Sequence, residues 1–150
     1  MRTEISTLGE FGLIDHLTKN IILTQPTTKK GVGDDAAVID NSDKRTLVTT
    51  DLLLEGIHFD LTYVPLKHLG YKSAVVNFSD IYAMNGKPQQ ITVSLGISQR
   101  FSVEDLETFY AGVLLACEIY GVDLVGGDTT SSLTGFSISI TCVGTADEEK

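Results

Sequence analysis

The sequence predicts an α+β fold, a mixed sheet with helices packed on one face, and three observations predict it. Residues 91–97 and 136–142 alternate apolar and polar side chains at the two-residue period of a strand. Residues 66–84 and 102–120 instead repeat apolar side chains at the helical interval. Finally, the strand–helix–strand order from 91 to 125 implies a right-handed crossover, so sheet and helices form packed layers.

Thr7 with Glu10 three residues later has the form of a capping box, and Phe11, Ile14 and Leu17 follow at helical spacing; a short helix is expected over 8–19. Residues 21–33, with Pro26, a Thr-Thr-Lys-Lys run and Gly31-Val-Gly33, carry no period and read as a mobile connection, a candidate flap. The apolar runs 36–39 and 47–50, separated by the polar turn 40–44, have the form of a strand pair, and 56–59 is a further extended candidate. Over 66–84, Tyr71, Ala74, Val75, Phe78, Ile81 and Tyr82 share one face while Ser73, Asn77 and Asp80 fall opposite, predicting a packed side and a polar stripe. Ser102 is placed to cap the next helix, which carries Leu106, Phe109, Val113, Cys117 and Tyr120. Gly121 is placed to end it in a left-handed turn before a strand at 122–125. After the turn-rich stretch 128–135, the last strand is expected to return antiparallel to the one before it.

The 150 residues suit one domain, with 42% hydrophobic and 21% charged side chains and only 3 Pro, which excludes a disordered tail and a membrane span. Lys and Arg total 11 against 20 Asp and Glu, a net charge of −9, which argues against nucleic acid as a partner. Cys117 and Cys142 lack the close Cys or His partners of a zinc or redox site and read as buried, reduced thiols. No apolar run follows Met1-Arg2-Thr3-Glu4, so an intracellular, cytoplasmic location is the expectation. No repeat or interdomain linker interrupts the chain.

The recurring chemical feature is an aspartate at a strand end or on a polar helix face, beside Gly, Ser or Thr: Gly33-Asp34-Asp35, Thr49-Thr50-Asp51, Ser79-Asp80 and Gly126-Gly127-Asp128-Thr129. If these four elements converge, each close carboxylate pair repels by about 4 kcal/mol at 4 Å and an effective dielectric of ~20, which a hard cation relieves. Magnesium suits an oxygen-only ligand set shared with phosphates, and glycines at 33 and 127 let backbone amides approach a phosphate. A Walker-type loop is absent from the sequence. Each aspartate also has a plain structural reading: Asp34 as a turn cap, Asp80 as a solvated helix residue. Asp40 and Asp43 are read as turn residues with no role. His58 fits a strand histidine as well as a substrate contact, and Tyr110, one residue after Phe109, reads first as packing. No Ser-His-Asp order or activated cysteine stands out, and no side chain is assigned as catalytic.

Taken together, Gly33-Asp-Asp-Ala-Ala37, Thr49-Thr-Asp51 with Glu55-Gly-Ile-His-Phe59, Asn77-Phe-Ser-Asp80 and Gly126-Gly-Asp-Thr129 resemble the N-terminal domain of thiamine-monophosphate kinases. The resemblance spans nearly the whole chain, from Gly9-Glu-Phe11 to the last strand. It implies the fold of the aminoimidazole ribonucleotide synthetase superfamily, in which N-terminal domains pair across a homodimer to close a β-barrel. It implies transfer of the ATP γ-phosphoryl group to thiamine phosphate, giving thiamine diphosphate and ADP, on several magnesium ions. By position, Asp35, Thr50, Asp51, Asp80 and Asp128 match metal ligands, with Thr49 an additional backbone or hydroxyl ligand. His58 matches a substrate contact; Tyr110, Gly127 and Asp128 match nucleotide contacts. Residues 1–150 are then expected to be an ATP- and magnesium-binding, dimerising N-terminal domain, inactive or weakly active without the family's C-terminal domain. One departure is the Ile81-Tyr-Ala-Met-Asn-Gly86 stretch, where the family more often has a small-residue turn. Two alternatives stay open: another ATP-dependent synthetase of the superfamily, and a non-catalytic dimerisation and metal-binding module.

Overall fold

The computed structural model describes residues 2–32, 38–61, 64–132 and 135–147, without the side chains of residues 10, 11 and 38. A short 3-10 turn at Ile5–Thr7 leads into α1 (Gly9–Thr18), then β1 (Thr28–Lys30), β2 (Val38–Ile39), β3 (Arg45–Leu54) and α2 (Leu66–Ala83). The chain continues through β4 (Lys87–Ile97), α3 (Val103–Tyr120), β5 (Asp123–Ser131) and β6 (Ser137–Ala146).

The main sheet has the order β3-β6-β4-β5. β6 runs antiparallel to both β3 and β4, and β5 runs parallel to β4, as the strand–helix–strand order requires. The last strand therefore does not return beside β5 but inserts between β3 and β4. The two strands with the strictest apolar alternation, β4 and β6, take the centre, where both neighbours pair with them and one whole face is buried. The expected pairing of 36–39 with 47–50 also fails: β2 pairs with β1, and β3 pairs with β6. Residues 128–131, expected in a turn, extend β5 along β4 instead. Residues 56–58 form a turn closed by a single bridge between Glu55 and Phe59.

Register fixes which side chains share a face. Thr49, Asp51 and Leu53 lie in rows with Cys142, Ile140 and Ile138 of β6 and with Ile91, Val93 and Leu95 of β4, the buried side under the helices. Val48, Thr50 and Leu52 lie in rows with Val143, Thr141 and Ser139, the opposite side, and there Val48 and Leu52 are 66% and 57% exposed. So one face is covered and the other is open.

α2 packs against both the sheet and α3, so two of the three residues of the expected polar stripe are buried: Ser73 and Asn77 are each only 1% exposed, while Asp80 stays exposed. Their donors are met within the helix, Ser73 Oγ donating to the Leu69 carbonyl and Asn77 Nδ2 to the Ser73 carbonyl, while the buried Asn77 Oδ1 meets no donor. Two glycines allow this depth. A Cβ on Gly112 would stand 1.9 Å from the Lys67 carbonyl oxygen and one on Gly70 2.0 Å from that of Phe109, so the helices cross backbone to backbone. Tyr82, expected on the packed face, is half exposed beside the Tyr120 ring.

α3 begins and ends as its sequence requires. Ser102 Oγ accepts from the Asp105 N–H while Asp105 Oδ2 accepts from the Ser102 N–H, and Gly121 at φ 69° ends the helix. α1 starts differently. Thr7 is spent in the 3-10 turn, and Leu8 precedes the helix with no side-chain cap. Cys117 and Cys142 are free and buried, and burial pushes both thiols up to about 12. No helix among the described residues is long and apolar enough to cross a membrane.

Candidate metal and phosphate site

Strand β3 and helix α2 bring together three of the residues singled out by sequence. Thr49 and Asp51 alternate onto the helix side of β3, and Asp80 comes down from the last turns of α2. Thr49 Oγ1 donates to Asp80 Oδ2 at 3.3 Å. Asp51 Oδ2 is buried and meets no donor. Burial first, then the negative charge of Asp80 and a hydrogen bond to it, push the Asp51 carboxyl above the ordinary carboxylate range. Two carboxylates thus share a place with too few donors. A divalent cation fits that donor set, because it supplies the positive charge and the coordination that Asp51 lacks. Among the described residues, no group of three or more His, Cys, Asp or Glu side chains gathers as a complete metal cage.

The other candidates lie elsewhere. Thr50 faces the open side, donating to the Ile140 carbonyl at 3.1 Å and accepting from Thr141. Asp128 is opposite Ser94 on β5, and that row runs through Ser139 to Leu52. It therefore occupies the opposite edge and the opposite face from Asp51, three strand spacings or roughly 14 Å away within one chain. Asp128 Oδ1 accepts from the Thr129 N–H, and a Cβ on Gly127 would meet the Val93 carbonyl oxygen at 1.9 Å, so only glycine fits there. Tyr110 is packed in the core, 7% exposed, where burial raises its hydroxyl's pKa. Asp34 and Asp35 lie outside the described residues.

His58 stands in the turn after β3, exposed, and is stapled to the strand end. Its N–H donates to the Leu54 carbonyl at 2.9 Å, and the Leu54 N–H donates to its Nδ1 at 3.0 Å. An accepting Nδ1 carries no hydrogen, so the ring hydrogen sits on Nε2. Glu55 holds the same turn to β6: Oε1 accepts from the Phe136 N–H and pairs with Arg100. Sequence reasoning missed this anchoring role of Glu55 and Arg100. It also missed Asp123, whose partners lie 95 to 99 residues away in the chain. No local pattern in 122–125 signals those contacts.

Residues 33–146 match the AIR synthase related protein, N-terminal domain. The chain is 39% identical over 140 residues to a thiamine-monophosphate kinase of Aquifex aeolicus (strain VF5), covering 93% of this chain and 43% of that protein. It is 33% identical over 138 residues to the Bacillus subtilis (strain 168) protein of that name, covering 91% and 42%. The chain thus spans less than half the length of these relatives. Among solved structures, thiamine-monophosphate kinase from Stenotrophomonas maltophilia K279a superposes with a TM-score of 0.76 at 31% identity, over 95% of this chain and 44% of that one. AaThiL complexed with AMPPCP and TMP superposes at 0.65 and 38% identity, with coverage of 95% and 44%. The hydrogenase maturation protein HypE, at 19% identity and 0.69, covering 88% and 40%, shares the fold alone.

Proposed function

This chain belongs to the AIR synthase related protein N-terminal domain family, and from that premise we propose that it is the ATP- and magnesium-binding N-terminal domain of a thiamine-phosphate kinase. The observation that carries the proposal is Asp51, a buried carboxylate oxygen without a donor set against a second carboxylate. Support for thiamine phosphate as the acceptor comes from the relatives named for that activity and from the relative complexed with an ATP analogue and TMP.

Asp51 and Asp80, with the Thr49 hydroxyl, would hold magnesium at the covered edge of the sheet. Asp35 and Thr50 are carried over as further ligands by resemblance. Asp128, with the close-approach backbone of Gly127, would serve a nucleotide phosphate at the other edge, an arrangement that suits several ions better than one shared ion. When bound, magnesium supplies charge neutralisation for the phosphates of both reactants. The acceptor phosphate oxygen is already ionised near neutral pH, so it attacks the ATP γ-phosphorus in line and the bond to the β-bridging oxygen breaks, leaving ADP. No side chain has to remove a proton. His58 offers its outward Nε2–H as a donor to the substrate. Tyr110, packed as it is, contributes to the nucleotide site through the shape of α3. The open sheet face, with Val48 and Leu52 exposed, supports a homodimer in which two sheets close a barrel.

The test is a product assay on the full-length protein. Thiamine phosphate with magnesium and ATP should yield equal amounts of ADP and thiamine diphosphate; no thiamine diphosphate under any magnesium concentration would end the proposal.

A further inference from the structure

We infer that Asp123, at the start of β5, is a positioning residue for the proposed reaction; the inference rests on the kinase reading and adds to it a residue that no candidate set contains. Asp123 is 1% exposed, and a carboxylate is taken that far from water only when its oxygens are fully used. They are. Oδ1 accepts from the Thr24 N–H at 2.6 Å and the Thr24 hydroxyl at 2.9 Å, and Oδ2 accepts from the Gln25 N–H at 2.9 Å and the Thr28 hydroxyl at 2.8 Å.

All four donors come from one short segment, the stretch expected from sequence to be a mobile flap. The beginning of β4 completes the clamp. Gln90 Nε2 donates to the hydroxyls of Thr27 and Thr28 at 2.7 and 2.8 Å, and Thr27 passes its own hydrogen to Gln89. The Gln25 side chain donates to the Gly121 carbonyl. Because Thr28 receives from Gln90, its hydrogen is committed to Asp123, and the network has one consistent direction.

The clamped segment leads directly into β1, and β1 pairs with β2 through Thr28 opposite Ile39, with the Asp40 N–H donating to the Thr27 carbonyl at 2.9 Å. Residues 31–37, which include Asp34 and Asp35, join these two strands in the sequence. Asp123 therefore fixes the position of the β1–β2 pair that flanks that aspartate-bearing stretch in the sequence, and it does so from the strand that carries Gly127 and Asp128.

The experiment uses Asp123→Asn in the full-length protein, since an amide nitrogen would face donors where Oδ2 or Oδ1 now accepts. Amide hydrogen exchange at residues 24–30 and 38–40 should accelerate while β4, β6 and α3 keep wild-type protection. Turnover should fall and half-saturating magnesium rise by about tenfold or more, the scale of losing a residue that orients ligands. Acceleration spread equally through β4, β6 and α3 would overturn the inference, as would a loosened 24–40 segment with turnover and magnesium dependence within about twofold of wild type. If Asp123→Asn does not fold, Thr28→Val removes one donor at constant shape and is judged by the same readouts. If the wild-type protein transfers no phosphoryl group, the kinase reading falls separately. Calorimetric titration with magnesium chloride then decides, with about tenfold weaker binding expected in Asp123→Asn and unchanged binding overturning the inference.

Discussion

With one carboxylate oxygen buried and undonated and Asp80 beside it, Asp51 opposes folding of the metal-free protein whenever it is ionised. Its folded pKa is raised, so its contribution to stability is present below the unfolded carboxylate range and is lost as pH rises through the folded value. Asp51→Asn should therefore raise the midpoint of thermal unfolding at neutral pH without metal and abolish the further rise that magnesium gives the wild type. Magnesium-dependent nucleotide binding should weaken by about tenfold or more, whereas Asp43→Asn should change neither readout. Glu104 behaves in the opposite sense. Hydrogen bonds from the Thr3 hydroxyl and N–H hold its carboxyl below the usual range, stabilising the N-terminal strap above the unfolded pKa and losing it as pH falls through the folded one. Acidification should free residues 2–8 before the core unfolds, read as amide exchange at Thr3 and Val103. At this scale Thr49, Asp51 and Asp80 were legible because each sits in a short polar pattern inside an apolar element. Asp123 was not, because its four donors come from the far end of the chain.

Among the elements, the α2–α3 crossing has the least room for change. Gly112→Ala would drive a Cβ into the Lys67 carbonyl and should destabilise by about 1–3 kcal/mol or more in urea unfolding. Gly12→Ala in α1 meets only the Leu8 Cβ at 3.6 Å and should stabilise by about 0.5–1 kcal/mol through helix propensity. α3 was fully legible, since its cap, apolar period and terminal glycine agree. α2 was legible in extent but not in burial. Its Ser73 and Asn77 look like a solvated stripe until the two glycines let α3 close over them. The partner of β3 was illegible for a related reason: the turn 40–44 favours a local hairpin, but only β6 offers ten residues of matching register.

At the scale of the whole molecule, inserting β6 between β3 and β4 sends β3 and β5 to opposite edges, and with them Asp51 and Asp128. The motifs named the aspartates but carried no information about strand order, so a single convergence point for all four was not something the sequence could specify. The sheet divides the candidates into a carboxylate pair under α2 and a glycine-aspartate edge on the open face, and it leaves that face uncovered in one chain. The central claim is that Asp51 and Asp80 together hold a divalent ion. The most direct measurement is anomalous diffraction from crystals of the full-length protein grown with manganese in place of magnesium and a non-hydrolysable ATP analogue. A manganese peak in contact with both the Asp51 and Asp80 carboxylates is the predicted result. Manganese bound with neither carboxylate among its ligands would contradict it.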